Sequence, residues 1–213
     1  LYVWQRKRVC GVSDTKILPA GVLRKREPHL NKNMKFAIYN GSAGSVCPYG
    51  LTIAYAENAV QNGAEVALNT AVLSMEVAQG QIKSVLTNRG RIYPTVVINA
   101  AGTFAEDVAK MAQDRFYSIH PRRGTNAILD KKAGPLMGGI ASWKTLKKTK
   151  GHTKGGGIVH TAHDNLLVGP DAIETYEKEN FATEKSSIEN NFKKQKVTVE
   201  ELSERDIITY FTG

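Results

Sequence analysis

Four side chains able to handle protons or anions crowd one short stretch of this sequence: His160, Thr161, His163 and Asp164. Imidazole titrates near neutral pH, so a histidine beside a carboxylate can take up or return a proton. The same spacing also suits a turn in which His163 and Asp164 only cap backbone groups. No further ligand stands at suitable spacing, so a zinc site has little support and no metal is expected. A second candidate is Arg122-Arg123-Gly124 after Pro121. Two guanidiniums beside a glycine can bind a carboxylate or phosphate bidentately, or simply form a solvated face. The third is Val97-Ile98-Asn99-Ala100-Ala101-Gly102. Its bland reading is a buried strand ending in a small-residue turn. Its sharper one is a strand tip over which a dinucleotide lies, because small residues let backbone approach a ligand and a following helix offers free N–H groups to phosphate.

The elements that must position these residues show in the hydrophobic pattern. Lys16–Leu23 suits a short helix or an extended segment. Glu27-Pro28-His29-Leu30-Asn31 is a turn, since Pro28 pushes Glu27 out of the helical region. Phe36–Tyr39 is strand-like. Residues 40–50 form a loop of small residues, and a helix over 51–62 stops at Asn62-Gly63. Alternation over 65–70, 70–77, 82–87 and 91–93, with turns at Gln79-Gly80 and Asn88-Arg89-Gly90, predicts an antiparallel meander. Val96–Ala100 has no alternation and is expected to be a buried strand of the parallel type, followed by a helix over 104–113. Strands are expected at 126–129, 157–161 and 165–169, the last two joined by Ala162-His163-Asp164. Helical spacing of Phe181, Ile188 and Phe192 marks residues 177–195, and 206–211 ends the chain as a strand.

The 213 residues carry a net charge of +9 with 41% hydrophobic residues, an ordinary globular composition. No run of about 18 apolar residues exists, so no transmembrane segment is expected. The two cysteines, Cys10 and Cys47, form no ligand or disulfide pattern and suit a reducing cytoplasm. Charge is uneven: residues 1–35 hold nine Lys/Arg against two acids, and 122–160 hold nine against one. The basic stretch 143–157 has only Trp143 as an aromatic, too few for a stacking platform, and is expected to be a solvated loop. Glycine-rich dinucleotide and Walker loops are absent. The chain begins without Met and ends in a strand, so it is expected to be the interior of a larger protein.

Five stretches in order resemble the middle of flavin-dependent oxidoreductases of the D-amino-acid oxidase superfamily, on the branch of FAD-dependent glycerol-3-phosphate dehydrogenases. They are Arg26-Glu27-Pro28-His29-Leu30-Asn31; Ala43–Tyr49 with Leu51–Ala59; Val97–Gly102 with Phe104-Ala105; Pro121–Gly124 with Leu129-Asp130-Lys131; and His163–Ala172. The resemblance implies a mixed α/β (α+β) fold: a largely antiparallel substrate-binding sheet with flanking helices (residues 1–50 and 115–213), plus part of a parallel FAD/NAD(P)-binding-like sheet (51–114) whose glycine-rich loop is absent. It implies FAD in the complete protein, with none stably held and no turnover by these residues alone. Thr70 and Val72, with Ala100, Ala101 and Gly102, are implied to contact FAD. Pro48 and Tyr49 are implied near the isoalloxazine. Arg122, Arg123, Gly124, His160 and Thr161 are implied at the substrate, with His163 and Arg122 catalytic. His160-Thr161 departs from the Pro-Thr of relatives. The implied chemistry is hydride removal from a carbon bearing a hydroxyl, most simply on glycerol 3-phosphate; a 2-hydroxy acid or amino acid stays open.

The implied partner is thus a small anionic substrate, with the electron acceptor unnamed, no nucleic acid, and peripheral membrane association left open. The competing reading is a non-catalytic anion- or nucleic-acid-binding module, resting on the charge alone.

Overall fold

The computed structural model describes residues 2–142 and 156–213, so the basic stretch at 143–155 lies outside the described residues. Two compact units emerge. One comprises Leu1–Pro48, Arg123–Ile173 and Asn180–Gly213; the other comprises Tyr49–Arg122 and Glu174–Glu179.

The first unit is built on a five-stranded sheet. Its order is Ile207–Thr212, Thr125–Leu129, Leu166–Gly169, Gly157–His160 and Ile140–Ala141, and every ladder in it is antiparallel. Alternation decides which face is buried: Thr125, Ala127 and Leu129 point inward while Asn126 and Ile128 are half-exposed. Ile158, Leu166 and Val168 join them, and Phe192 of the helix Lys185–Gln195 lies wholly buried against this layer with Val199 and Leu202. Each such side chain contributes about 1.5–3 kcal/mol on removal from water. Asn191, one residue before Phe192, donates its Nδ2 to the Thr125 carbonyl at 2.8 Å, so the helix is tied to the sheet by a polar bond inside the apolar contact.

The N-terminal segment docks on the same core. The expected choice between helix and extension at 16–23 resolves into both: strand Lys16–Pro19, then helix Ala20–Arg26. The strand pairs antiparallel with Phe36–Tyr39. Leu23 and Leu30 enter the core. Between them Glu27 ends the helix, and just beyond Leu30 the Asn31 Nδ2 donates to Glu200 Oε1 at 2.7 Å.

The second unit holds the helix Pro48–Gln61 from Tyr49 onward and a meander of Val72–Ala78, Gln81–Thr87 and Gly90–Ile92, antiparallel throughout. Two expectations are corrected here. Residues 65–70 alternate in sequence but form no strand; Thr70 Oγ1 turns back to the Leu68 carbonyl at 3.1 Å instead. Residues 96–100 are neither paired nor buried, with Ile98 87% exposed. A strand exists through its ladder, and among the described residues none lies beside this one. The mixed α/β fold with antiparallel sheets stands. The helix that follows is shorter than expected, a 3-10 turn Gly102–Phe104 running into Ala105–Met111.

No helix among the described residues is long and apolar enough to cross a membrane.

A tight backbone approach in the five-stranded sheet is at Gly169. Its φ is +138°, and a Cβ there would sit 2.7 Å from the Thr125 carbonyl oxygen and 2.9 Å from Asn126 Oδ1. Replacing Gly169 by Ala is expected to destabilise the first unit by roughly 2–4 kcal/mol, seen as a lower urea midpoint; an unchanged midpoint would show that the two strands can part without loss.

Candidate functional site

The first unit contains a cleft of about 280 Å³ lined by Ala43, Gly44, Ser45, Gly138, Gly139, Ile140, His160 and Thr161. Its walls come from three places. The loop after Phe36–Tyr39 supplies Ala43–Ser45, the segment entering Ile140–Ala141 supplies the glycine pair, and the end of Gly157–His160 supplies the rest. They are laced together by backbone. The Gly139 carbonyl accepts the His160 N–H at 2.9 Å, and Ser45 Oγ donates to the His160 carbonyl at 2.8 Å.

His160 is therefore fixed at both its backbone groups. Its ring is half-buried and its Nε2 lies 3.6 Å from Asp164 Oδ1 across the hairpin turn. That distance is an ion pair when the ring is protonated, not a hydrogen bond. Nε2 itself is shut off from solvent, with no hydrogen-bond partner among the described residues.

The hairpin turn is organised by Thr161 rather than by the histidine and aspartate. Its Oγ1 accepts the N–H of His163 at 3.3 Å and of Asn165 at 3.2 Å. Asn165 Nδ2 then donates to the Leu129 carbonyl at 2.8 Å and fastens the turn to the sheet. Asp164 takes a φ of +64°, which its short polar side chain tolerates. His163 is carried exposed at the tip. The turn is backed by Gly134, where a Cβ would lie 2.5 Å from the Asp164 carbonyl oxygen.

The arginine pair does not form one anion clamp. Arg123, whose side chain is only 11% exposed, ion-pairs with Glu184 and reaches Asn180 Oδ1 and the Ala182 carbonyl, each at 3.4 Å. Its donors are spent on the protein. Arg122 pairs with Glu174 at 3.4 Å in the second unit. Gly124 also serves packing: a Cβ there would come within 2.9 Å of Pro170 Cβ. Acids distant in sequence supply the partners of both arginines.

Pro48, the last residue of the first unit's opening stretch, begins the helix Pro48–Gln61, a position where the missing N–H costs nothing, and Tyr49, in the second unit, stands 80% exposed. Val72 lies opposite Thr87 at the start of the meander. Asn88 holds the stretch before it, accepting the Ala71 N–H at 2.9 Å and donating to the Asn69 carbonyl at 3.1 Å. Ala100, Ala101 and Gly102 form an open, exposed turn, with Gly102 at φ +57° and nothing within 4 Å of a Cβ placed there. Asn99 shapes it, donating Nδ2 to the Ala105 carbonyl at 2.8 Å and accepting the Ala101 N–H at 3.3 Å. An exposed turn of small residues beside apolar, extended backbone fits a nucleotide laid against it.

Glu106 anchors the helix after that turn. Its Oε2 accepts the Ile119 N–H at 2.8 Å, and its Oε1 meets Arg115 Nε at 2.8 Å and Lys110 Nζ at 3.2 Å. The Ile119 N–H is the largest of several influences that hold its carboxyl at about 2. Lys178, ion-paired with Asp107, lowers that carboxyl too. The sequence reading missed Asn88, Asn99, Glu106 and the glycine pair 138–139. Only the small-residue run 43–45 gave a sign, within the stretch 40–50.

Solved structures share this fold. Glycine oxidase from Bacillus cereus ATCC 14579 aligns over 100% of this chain and 54% of its own, with a TM-score of 0.80 and 18% identity. L-alpha-glycerophosphate oxidase from Mycoplasma pneumoniae with FAD bound aligns over 95% of this chain and 53% of its own, with a TM-score of 0.73 and 22% identity. The family model for FAD dependent oxidoreductases, DAO, matches residues 3–213, and the chain belongs to that family. Among curated proteins, the glycerol 3-phosphate dehydrogenase of Caloramator mitchellensis is 30% identical over 203 residues, which is 95% of this chain and 41% of that protein. The chain thus spans less than half the length of that relative.

The carboxyl of Glu106 lies lower folded than its usual 4.5. The stability it contributes is complete above about 4.5 and is lost as pH falls through about 2. Hydrogen exchange at the Ile119 amide, corrected for intrinsic rates, is expected to show protection that persists below 4.5 and collapses near 2. Glu106→Gln is expected to lower that protection at pH 7 and to flatten its acid dependence.

Proposed function

We propose that these residues belong to a flavoenzyme that oxidises glycerol 3-phosphate at a carbon bearing a hydroxyl group. The observation that carries this reading is the 30% identity to a glycerol 3-phosphate dehydrogenase across 95% of the chain. The family cofactor is FAD, and the second unit supplies residues that fit it: the open turn Ala100-Ala101-Gly102 and the backbone of Thr70 and Val72. When bound, the flavin accepts the hydride.

The first unit supplies the substrate side. The cleft beside His160 and Thr161 is narrow and walled by small residues, which suits a small polyol ester rather than a bulky side chain. His163, exposed on a turn that Thr161 and Asn165 hold in place, is the base assigned to the hydroxyl proton, taken at a ring nitrogen. His160 lines the cleft and orients by position, with both its backbone groups already engaged. Arg123 is left to the fold, because Glu184 neutralises it.

The test is the protein from the complete reading frame. It is expected to purify with bound yellow flavin and to reduce a dye when given glycerol 3-phosphate. His163→Asn is expected to retain the flavin and lose about 10²–10⁴-fold in kcat. A colourless wild-type protein overturns the flavin assignment. Turnover of an amine or a 2-hydroxy acid, without turnover of glycerol 3-phosphate, overturns the substrate.

A further inference from the structure

One wall of the cleft hangs on a residue that lies outside it. Glu27 is half-buried and sits where the helix Ala20–Arg26 ends, with its own N–H returned to the Leu23 carbonyl at 2.8 Å. Leu23 and Leu30, buried on either side, fix that backbone in the core. From there the side chain crosses to a segment 111 residues later, where its Oε2 accepts the Gly138 N–H at 2.8 Å. The fit leaves little slack: a Cβ on Gly138 would lie 3.2 Å from Glu27 Oε1, and one on Gly139 would lie 3.8 Å from it. Gly139 then accepts the His160 N–H at 2.9 Å. The Leu23–Leu30 anchor, Glu27, Gly138-Gly139 and His160 make a continuous chain of bonds ending at the cleft.

We propose that Glu27 is a positioning residue for this cleft: its carboxylate holds the Gly138-Gly139 wall, and through that wall the place of His160. A glycine pair alone would be poorly suited to the task, because glycine backbone has the widest conformational freedom of any residue. A carboxylate acceptor makes a stronger bond to an N–H than a neutral one does. It offsets that freedom without adding a side chain to the narrow cleft. The inference rests on the cleft being the substrate side of a flavoenzyme, but its structural half does not.

The experiment uses the flavin-loaded protein from the complete reading frame, with Glu27→Ala and Glu27→Gln. Glutamine keeps an acceptor oxygen and alanine does not. Hydrogen–deuterium exchange in the peptides containing Gly138 and His160 is expected to accelerate about tenfold in Glu27→Ala and to stay near wild type in Glu27→Gln. The KM for glycerol 3-phosphate is expected to rise about tenfold in the alanine variant with kcat nearly unchanged, and to be restored by glutamine. Gly138→Ala, which leaves Glu27 in place but crowds its carboxylate, is expected to raise KM likewise, and the double variant to be no worse than the worse single one. This second variant also decides the matter if Glu27→Ala does not fold. Unaltered exchange in Glu27→Ala overturns the proposal, as does an equal fall in stability and kcat that glutamine fails to rescue. If wild-type protein does not turn over glycerol 3-phosphate, the functional reading falls, and the exchange arm alone still decides whether Glu27 holds the wall.

Discussion

The first unit depends on the strand Thr125–Leu129. It is paired on both edges, with Ile207–Thr212 on one side and Leu166–Gly169 on the other. Its inward side chains meet Phe192, and its Thr125 carbonyl receives Asn191. Backbone bonds satisfy its polar groups while apolar contact repays the ordering of the chain, and neither would hold alone. The hairpin 157–169 inherits its rigidity from this strand, so the cleft residues at its end are as well placed as the core behind them.

The second unit is organised on another principle. Among its described residues Val85 and Ala109 are the buried hydrophobic ones. Polar bonds set its backbone: Glu106 on Ile119 and Arg115, Asn99 across its turn, and Asn88 under the meander. Such bonds contribute little each, on the order of 1 kcal/mol, but they set backbone geometry sharply. Helix Pro48–Gln61 has no buried residue and residues 96–100 lie open. Tyr49, Leu51, Ile53 and Tyr55 of that helix, with Val96 and Ile98, are exposed large apolar side chains.

Both units thus treat small residues as functional material. At Gly138-Gly139 they keep a cleft narrow but unobstructed; at Ala100-Ala101-Gly102 they leave backbone accessible. In each case a polar side chain supplies the definition that small residues lack: Glu27 from far along the chain, Asn99 from the adjacent position. That division of labour fits a family in which the cofactor carries the redox chemistry and the protein supplies binding and orientation.

Local features set by periodicity and turn chemistry need only near neighbours. The helix after Asn40–Gly50, the meander turns at Gly80 and Gly90 and the alternating strands 126–129 and 166–169 were legible for that reason, and the family resemblance was carried by short motifs in order. What sequence misjudged was decided by partners far along the chain. Residues 96–100 have the composition of a strand but carry no ladder among the described residues, since pairing depends on a neighbour that local composition does not specify. Arg122 and Arg123 look alike until Glu174 and Glu184 arrive from some fifty and sixty residues away. Glu27 reads as the end of a helix, and only folding brings it within 2.8 Å of Gly138. Pattern reports what a segment can form by itself; which groups remain available for chemistry is settled by the long-range contacts that consume the others.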